Sequence, residues 1–217
     1  NYRIASKEAF VGLPEVNLGL LPGAGGTQRL PRLIGPSEAL KMIISGAHIS
    51  AQKAYSLGVV DLISENILED SIKFALDKAQ SSSKHPKVRD LNEKVIEARN
   101  SDNVLIEAKA LAAKTRKGQF APGQIIKCIE AAIDCDDFDE GLKKEGEYFL
   151  ESLLHPQREA MIHIFFGERA ASKIVDVPKE TQLKKINSAA VIGSGTMGGG
   201  IAMCFANAGI PVHIIDQ

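Results

Sequence analysis

Short apolar runs alternate with helical stripes over the first 84 residues. Tyr2–Ala5 and Ala9–Leu13 read as brief extended segments. A Gly/Pro-rich loop follows from Gly19 to Gly26. Thr27–Leu33 and Ser37–Ser45 read as helices, with Gly35-Pro36 as the break between them. Ser50 stands where an N-cap belongs, ahead of Ala51–Leu57, and Gly58 stands where that helix should close. Val59–Ile63 is short and rich in β-branched residues, which predicts a strand. Leu68–Ser82 returns to the helical period, with Ile72, Leu76 and Ala79 on one face. Strands interleaved with helices predict an α/β layer fold.

From residue 85 the pattern changes. Ser81-Ser82-Ser83 and Lys84-His85-Pro86-Lys87 mark the boundary, and no strand pattern follows for about ninety residues. Helices are predicted over Asn103–Arg116, Pro122–Ile133, Phe138–Leu154 and Pro156–Ser172, with Pro122 and Pro156 at helix starts. Ile125, Ile126, Ile129 and Ile133 form one stripe, read as helix–helix packing. Val175–Lys185 is a polar linker containing a proline. An apolar strand over Ala189–Ile192 comes next, then a glycine-rich turn, an apolar helix to Ala208 with Gly209 closing it, and a second strand over Val212–Ile215. The expected organisation is therefore 1–84, 85–185 and 186–217.

Composition narrows the function. Lys and Arg total 26 against 27 Asp and Glu, a net charge of −1, which favours neither a nucleic-acid surface nor a polybasic membrane contact. No apolar stretch is long enough to span a membrane, and no signal-peptide pattern opens the chain. Three cysteines (Cys128, Cys135, Cys204) form no C-x-x-C pair and suit a reducing compartment. Five histidines show no ligand spacing, so no metal site is expected. Asn1–Ala5 reads as the middle of a strand and Gln217 directly follows one. The chain is therefore expected to be an internal piece of a longer protein.

Two segments carry candidate chemistry. Gly193-Ser-Gly195-Thr-Met-Gly198 fits G-x-G-x-x-G between a strand and a helix, and Asp216 ends the next strand 23 positions after Gly193. Gly193 permits the tight turn, Gly195 lets a pyrophosphate approach the backbone, and Gly198 lets helix and strand pack closely. The helix start, with Thr196 and Met197, offers free N–H groups to phosphates. Asp216 would accept hydrogen bonds from the adenosine ribose and repel a 2′-phosphate, favouring NAD over NADP. A flavin is the competing dinucleotide, and a bare packing turn the non-binding alternative.

The other segment is Gly12–Leu30, where Glu15 lies in an apolar setting ahead of the glycine-rich helix entry. Such a setting suits a carboxyl group to proton transfer near neutral pH, and backbone N–H groups near Gly23 could hold a water or polarise an oxygen. On residue chemistry alone a loop glutamate is more often a surface charge or a helix-dipole partner.

Pro14-Glu15-x-x-Leu18-Gly19-x-x-Pro22-Gly23-x-Gly25-Gly26-Thr27-Gln28-Arg29-Leu30 closely resembles the second signature block of the crotonase (enoyl-CoA hydratase/isomerase) family. Gly46–Ala51 and Ala54–Val60 continue the likeness. Val191–Ala202 resembles the opening of the 3-hydroxyacyl-CoA dehydrogenase family. Gly141–Leu154 and Phe165–Ala171 resemble the linker of the bifunctional β-oxidation enzymes that join the two. The resemblance implies the C-terminal half of a crotonase fold, a helical linker, and the first β-α-β of a Rossmann domain.

It also implies chemistry. The parent enzyme would take an acyl-CoA substrate and NAD, hydrate trans-2-enoyl-CoA, oxidise the 3-hydroxyacyl-CoA, and isomerise 3-enoyl-CoA. Glu15 would deliver the proton to C2, and the Gly23 N–H would help hold the reacting water. The family's other catalytic Glu, its oxyanion-hole donors and the dehydrogenase His–Glu pair are expected outside these residues, so the piece alone is expected to be inactive. Aligning Phe165 to the family's aromatic puts Glu168 where a CoA-binding Lys is usual, which weakens that contact. The resemblance leaves oligomeric state open. It implies the cytoplasm for a bacterial source and the peroxisome for a eukaryotic one. Two alternatives stand beside it: a crotonase-fold hydrolase or lyase, and a non-catalytic CoA- or NAD-binding remnant.

Overall fold

Strand β1 (Ile4–Ser6) and strand β2 (Phe10–Val11) open the chain and pair with segments far along it. The computed structural model describes residues 1–81, 84–101, 103–171, 173–178 and 180–217, which fall into two compact units, Asn1–Ser172 and Lys173–Gln217. Ser82, Ser83 and Ser172, at the predicted serine boundary and the predicted end of the fourth helix, lie outside the described residues.

In the first unit the glycine-rich loop leads into α1 (Gly26–Ile34) and α2 (Pro36–Ser45), separated by Gly35 at φ 86°. β3 (Ile49–Ser50) pairs antiparallel with β2, Phe10 opposite Ser50. Ser50 then caps α3 (Ala51–Leu57), its Oγ accepting from the Lys53 N–H, and Gly58 closes the helix at φ 87°. The predicted strand over Val59–Ile63 starts later, as β4 (Leu62–Ser64). Val59 is still part of the helix exit, its N–H bonded to Ala54 O, and Val60 is buried beside Ala5, Ala51 and Ala54. β4 runs parallel to β1 with Ile4 opposite Leu62. Arg3 and Asp61 fasten its start through two backbone–partner bonds of 2.7 Å and an ion pair of 3.1 Å.

α4 (Ile67–Gln80) forms where predicted, but Ile72, Leu76 and Ala79 are exposed. The helix packs instead through Phe74, edge-on to Tyr2 at 5.4 Å. A short 3-10 turn (Val88–Asp90) and α5 (Glu93–Ala98) were not legible in the pattern. α5 buries a single residue, Val95, so it has no apolar stripe to read. α6 (Asn103–Thr115), α7 (Ala121–Asp134), α8 (Phe138–Leu154) and α9 (Pro156–Ala171) follow.

One apolar core crosses residue 84. Ile125, Ile126, Ile129 and Ile133 of α7 are buried with Val16 and Leu21 of the early loop and with Leu40, Ile43 and Ile44 of α2. Each such side chain contributes about 1.5–3 kcal/mol on burial. The stripe read as helix packing therefore belongs to the same core as the loop that bears the candidate chemistry.

α8 approaches α1 closely at Gly141. A Cβ there would lie 2.4 Å from the buried Gln28 Oε1, whereas one at Gly146 on the same helix would meet nothing within 4 Å. Gly141→Ala is expected to destabilise the unit by about 1–3 kcal/mol through overpacking. Gly146→Ala should be neutral or stabilising by up to about 1 kcal/mol through helix propensity. Thermal unfolding of the pair checks this, and equal midpoints would contradict the close approach.

The second unit is a β-α-β. β5 (Ala189–Ile192) and β6 (Val212–Ile215) pair in parallel, Val191 opposite Ile214, and α10 (Thr196–Asn207) crosses between them. Ala208 caps α10, and Gly209 follows in the left-handed region at φ 72°.

Candidate functional site

Glu15 begins a 3-10 turn (Glu15–Leu18) that Gly19 closes at φ 71°, its N–H bonded to Val16 O. The Leu20 N–H bonds back to Glu15 O, so the backbone of the turn is satisfied locally. The Glu15 side chain is not. It is half-buried, and Oε2 is shielded from solvent with no hydrogen-bond partner among the described residues. A shielded carboxylate oxygen without a donor is costly, which marks it as available to a ligand atom.

Two helices hold the turn. α9 rests on Gly19, where a Cβ would come within 3.1 Å of the Arg158 Cα and Met161 Sδ. The start of α9 is pinned in turn: Gln157 Oε1 accepts from the Phe120 N–H at 2.7 Å, and its Nε2 donates to Gly118 O at 2.8 Å. Arg116, beyond α6, donates to Asn17 Oδ1 at 2.8 Å, to Ile44 O at 3.0 Å and to Ser45 O. A cation on the last carbonyls of α2 answers the negative end of that helix. Beside the turn lies an open cleft of about 610 Å³ lined by Asn17, Arg116, Gln119, Met161, Phe165 and Glu168.

The glycine loop follows. Ala24 lies at φ 53° and Gly25 at φ 83°, two consecutive left-handed residues of which only the glycine is suited to the conformation. Glu145 of α8, 2% exposed, spans the loop: Oε1 accepts from the Gly25 N–H at 2.7 Å, and Oε2 from the Thr27 N–H at 3.0 Å and Thr27 Oγ at 2.5 Å. The remaining α1 donors turn inward, Gly26 to Gly23 O, and Gln28 and Arg29 to Gly25 O. The Gly23 and Ala24 N–H groups have no acceptor among the described residues. Behind the clamp, burial pushes the Cys128 thiol up to about 12, opposed by its contact with Thr27 and reinforced by the charge of Glu145. The thiol is protonated filler rather than a nucleophile.

Sequence reasoning missed Glu145 and Arg116. Glu145 had a readable signal. The buried positions of α8 are Phe138, Gly141, Glu145 and Ser152, at spacings of three, four and seven, so a carboxylate occupies the inward stripe. Arg116 had none, because its partners, Asn17 Oδ1 and two backbone oxygens of α2, are distant in sequence.

In the second unit Gly193 turns at φ 98°, and a Cβ on Gly198 would fall 1.8 Å from Gly193 O. A Cβ on Gly195 would meet nothing within 4 Å. Gly195 is the N-cap of α10 and offers no side-chain acceptor, so the amides of Thr196, Met197 and Gly198 begin the helix uncapped. Met197 is 74% exposed. Asp216 reaches the same turn. Its Oδ2 accepts from the Ser194 N–H at 3.0 Å and from Ser194 Oγ, and its Oδ1 from the Gln217 N–H at 2.9 Å. These donors, Ser194 foremost, hold its carboxyl below the ordinary carboxylate value. It carries full negative charge at neutral pH, with lone pairs left for further donors.

No cluster of three or more His, Cys, Asp or Glu residues able to hold a metal occurs among the described residues, and none of their helices is long and apolar enough to cross a membrane.

The class is that of α/β proteins joining a helix-rich module with small sheets to a glycine-turn β-α-β. The chain belongs to the enoyl-CoA hydratase/isomerase family, whose model matches residues 1–130, and residues 188–217 match the NAD binding domain of 3-hydroxyacyl-CoA dehydrogenase. It is 40% identical over its full length to the peroxisomal bifunctional enzymes of Cavia porcellus and Homo sapiens. Over 97% of its length it is 36% identical to the fatty acid oxidation complex subunit alpha of Shewanella loihica. The chain spans 30% of the length of each of these relatives.

Proposed function

We propose that the enzyme containing this chain carries out two successive steps of fatty-acid β-oxidation on acyl-CoA. Water adds across the C2=C3 bond of a trans-2-enoyl-CoA, hydroxyl to C3 and proton to C2. The resulting 3-hydroxyl is then oxidised with NAD to the 3-ketoacyl-CoA. The observation that carries this reading is the presence of both family matches in one chain, because the product of the first module is the substrate of the second.

In the first module Glu15 is the proton donor to C2 of the thioester enolate. Its shielded, unpartnered Oε2 is the atom that meets substrate. The same carboxylate shuttles the proton when a 3-enoyl-CoA is isomerised. The acceptor-free Gly23 N–H orients the water, with the neighbouring Ala24 N–H also available.

In the second module the residues fit a dinucleotide. Gly195 leaves open space where a pyrophosphate would approach, the uncapped start of α10 presents N–H groups at Thr196, Met197 and Gly198, and Asp216 offers acceptors to a ribose. When bound, NAD supplies the hydride acceptor. Gly193 and Gly198 set the approach of turn and helix that makes the cradle. The 1–84, 85–185 and 186–217 division is kept as a functional one: glycine loop, helical support and dinucleotide cradle. A eukaryotic source would place the enzyme in the peroxisome and a bacterial one in the cytoplasm.

The test mixes the full-length enzyme with crotonyl-CoA and NAD, following enoyl-thioester absorbance and NADH together. Loss of the enoyl signal with NADH lagging behind it is expected. A flat enoyl signal, with NADH still formed from 3-hydroxybutyryl-CoA, would overturn the hydratase assignment and Glu15 with it.

A further inference from the structure

We infer that Glu145 is a positioning residue for hydration, holding the glycine loop so that the Gly23 N–H stays free for the reacting water. The inference rests on the hydratase reading and on Gly23 within it. Glu145 sits on α8, 120 residues from Gly25, and is 2% exposed. No lysine or arginine pairs with it among the described residues. Its charge is met instead by three donors of one loop, the Gly25 N–H, the Thr27 N–H and the Thr27 hydroxyl, at the positive end of α1. The carboxylate satisfies three buried donors that an apolar residue would leave without a partner. In doing so it also fixes geometry, because all three converge on one side chain.

That geometry is specific. Ala24 and Gly25 both have left-handed backbones, a course a free loop rarely keeps. Glu145 grips the loop on both sides of Gly26, at Gly25 and at Thr27. It thereby takes up the α1 amides that would otherwise attract an anion, and leaves the Gly23 and Ala24 amides without acceptors. Thr27 has a matching role: its hydroxyl donates to Glu145 and accepts from Gln28 Nε2 at 3.1 Å, which fixes the direction of its proton. The motif threonine and the α8 carboxylate form one device. Through it α8 sets the position of an amide it does not itself contain.

The experiment uses the full-length enzyme and separates kcat from KM for hydration of crotonyl-CoA. NADH formation from 3-hydroxybutyryl-CoA and the thermal midpoint are read in parallel. Glu145→Gln keeps the shape but turns one acceptor into an NH2 group facing a donor. It is expected to lower hydratase kcat by roughly 10–100-fold, the effect of misplacing a positioning group by about 1 Å, with KM changed by less than about threefold and NADH formation unaltered. Thr27→Ser keeps the hydroxyl donor and should retain most of kcat, whereas Thr27→Val should lose about tenfold.

If Glu145→Gln fails to fold, the threonine pair decides. Equal kcat for Thr27→Ser and Thr27→Val overturns the inference. So does a Glu145→Gln enzyme within about twofold of wild-type kcat, or one whose hydration and NADH formation fall together with the folded fraction. A wild-type enzyme without hydratase activity would remove the underlying reading. A wild-type enzyme with hydratase activity, beside unaffected variants, would remove this inference alone.

Discussion

Glu15→Gln in the full-length enzyme is expected to lower crotonyl-CoA hydration by roughly 10²–10⁴-fold, the usual contribution of a positioned general acid or base. Isomerisation of a 3-enoyl-CoA should fall with it. The substitution is close to isosteric, and the structure explains why the fold should tolerate it. The turn at Glu15–Leu18 is held by backbone bonds from Gly19 and Leu20, by Asn17 through Arg116, and by α9 against Gly19, none of which uses the Glu15 carboxylate. What changes is the atom that bears the proton. An amide in place of the shielded Oε2 offers no proton of suitable acidity to an enolate carbon. NADH formation from 3-hydroxybutyryl-CoA should be unchanged, because Gly193, Gly195, Gly198 and Asp216 belong to the other unit. Steady-state rates for the three reactions on one preparation measure this. Hydration surviving within about threefold would assign Glu15 to structure, and equal loss of all three reactions would break the two-module reading.

Legibility in the sequence followed locality. Caps and breaks were readable because each acts through neighbours: Ser50 on Lys53, Gly58 on α3, Gly35 between α1 and α2. The isoleucine stripe of α7 was readable because its period is that of the helix. The closeness of the glycine turn at Gly193 to the acid at Asp216 was readable because one local β-α-β brings them together. The failures share the opposite property. Val59 and Val60 carry β-branched side chains, yet the hydrogen bonds to Ala54 keep them in the helix exit, and the strand begins at Leu62. α5 is held by Val95 and by the Arg32–Asn92 contact at its start, so local amphipathicity said nothing of it. Glu15 was recognised by family likeness, while the packing of α9 on Gly19 of its turn and the grip of Glu145 on the loop depend on residues more than 100 positions away. The segment that resembled the enzyme linker thus supplies a group to the glycine loop; the α8 stripe shows that a carboxylate faces inward, but nothing in either segment names the loop it meets.

Gly198→Ala carries the second large effect, and it separates the two jobs of the glycine turn. A Cβ at Gly198 would fall 1.8 Å from Gly193 O and 2.8 Å from Gly193 C, distances at which backbone must move. Neither neighbour is the end of a flexible side chain, so relief requires α10 to lift from β5 or the turn to open. Overpacking of this kind costs about 3 kcal/mol at the upper end of its range. Falling on the cradle geometry, that is about a hundredfold in NAD affinity. Gly195→Ala is the informative contrast. Its Cβ would meet nothing within 4 Å, so the unit should fold as before, and any loss of NAD binding must come from the methyl group standing where the pyrophosphate approaches. Titration of the full-length enzymes with NADH, beside crotonyl-CoA hydration and thermal unfolding, distinguishes them. Gly198→Ala should lose NADH binding together with local stability, Gly195→Ala should lose binding alone, and both should hydrate crotonyl-CoA at the wild-type rate. If Gly195→Ala bound NADH as tightly as wild type, the turn at Gly193 would be a packing device only, and the dinucleotide would have to be held elsewhere.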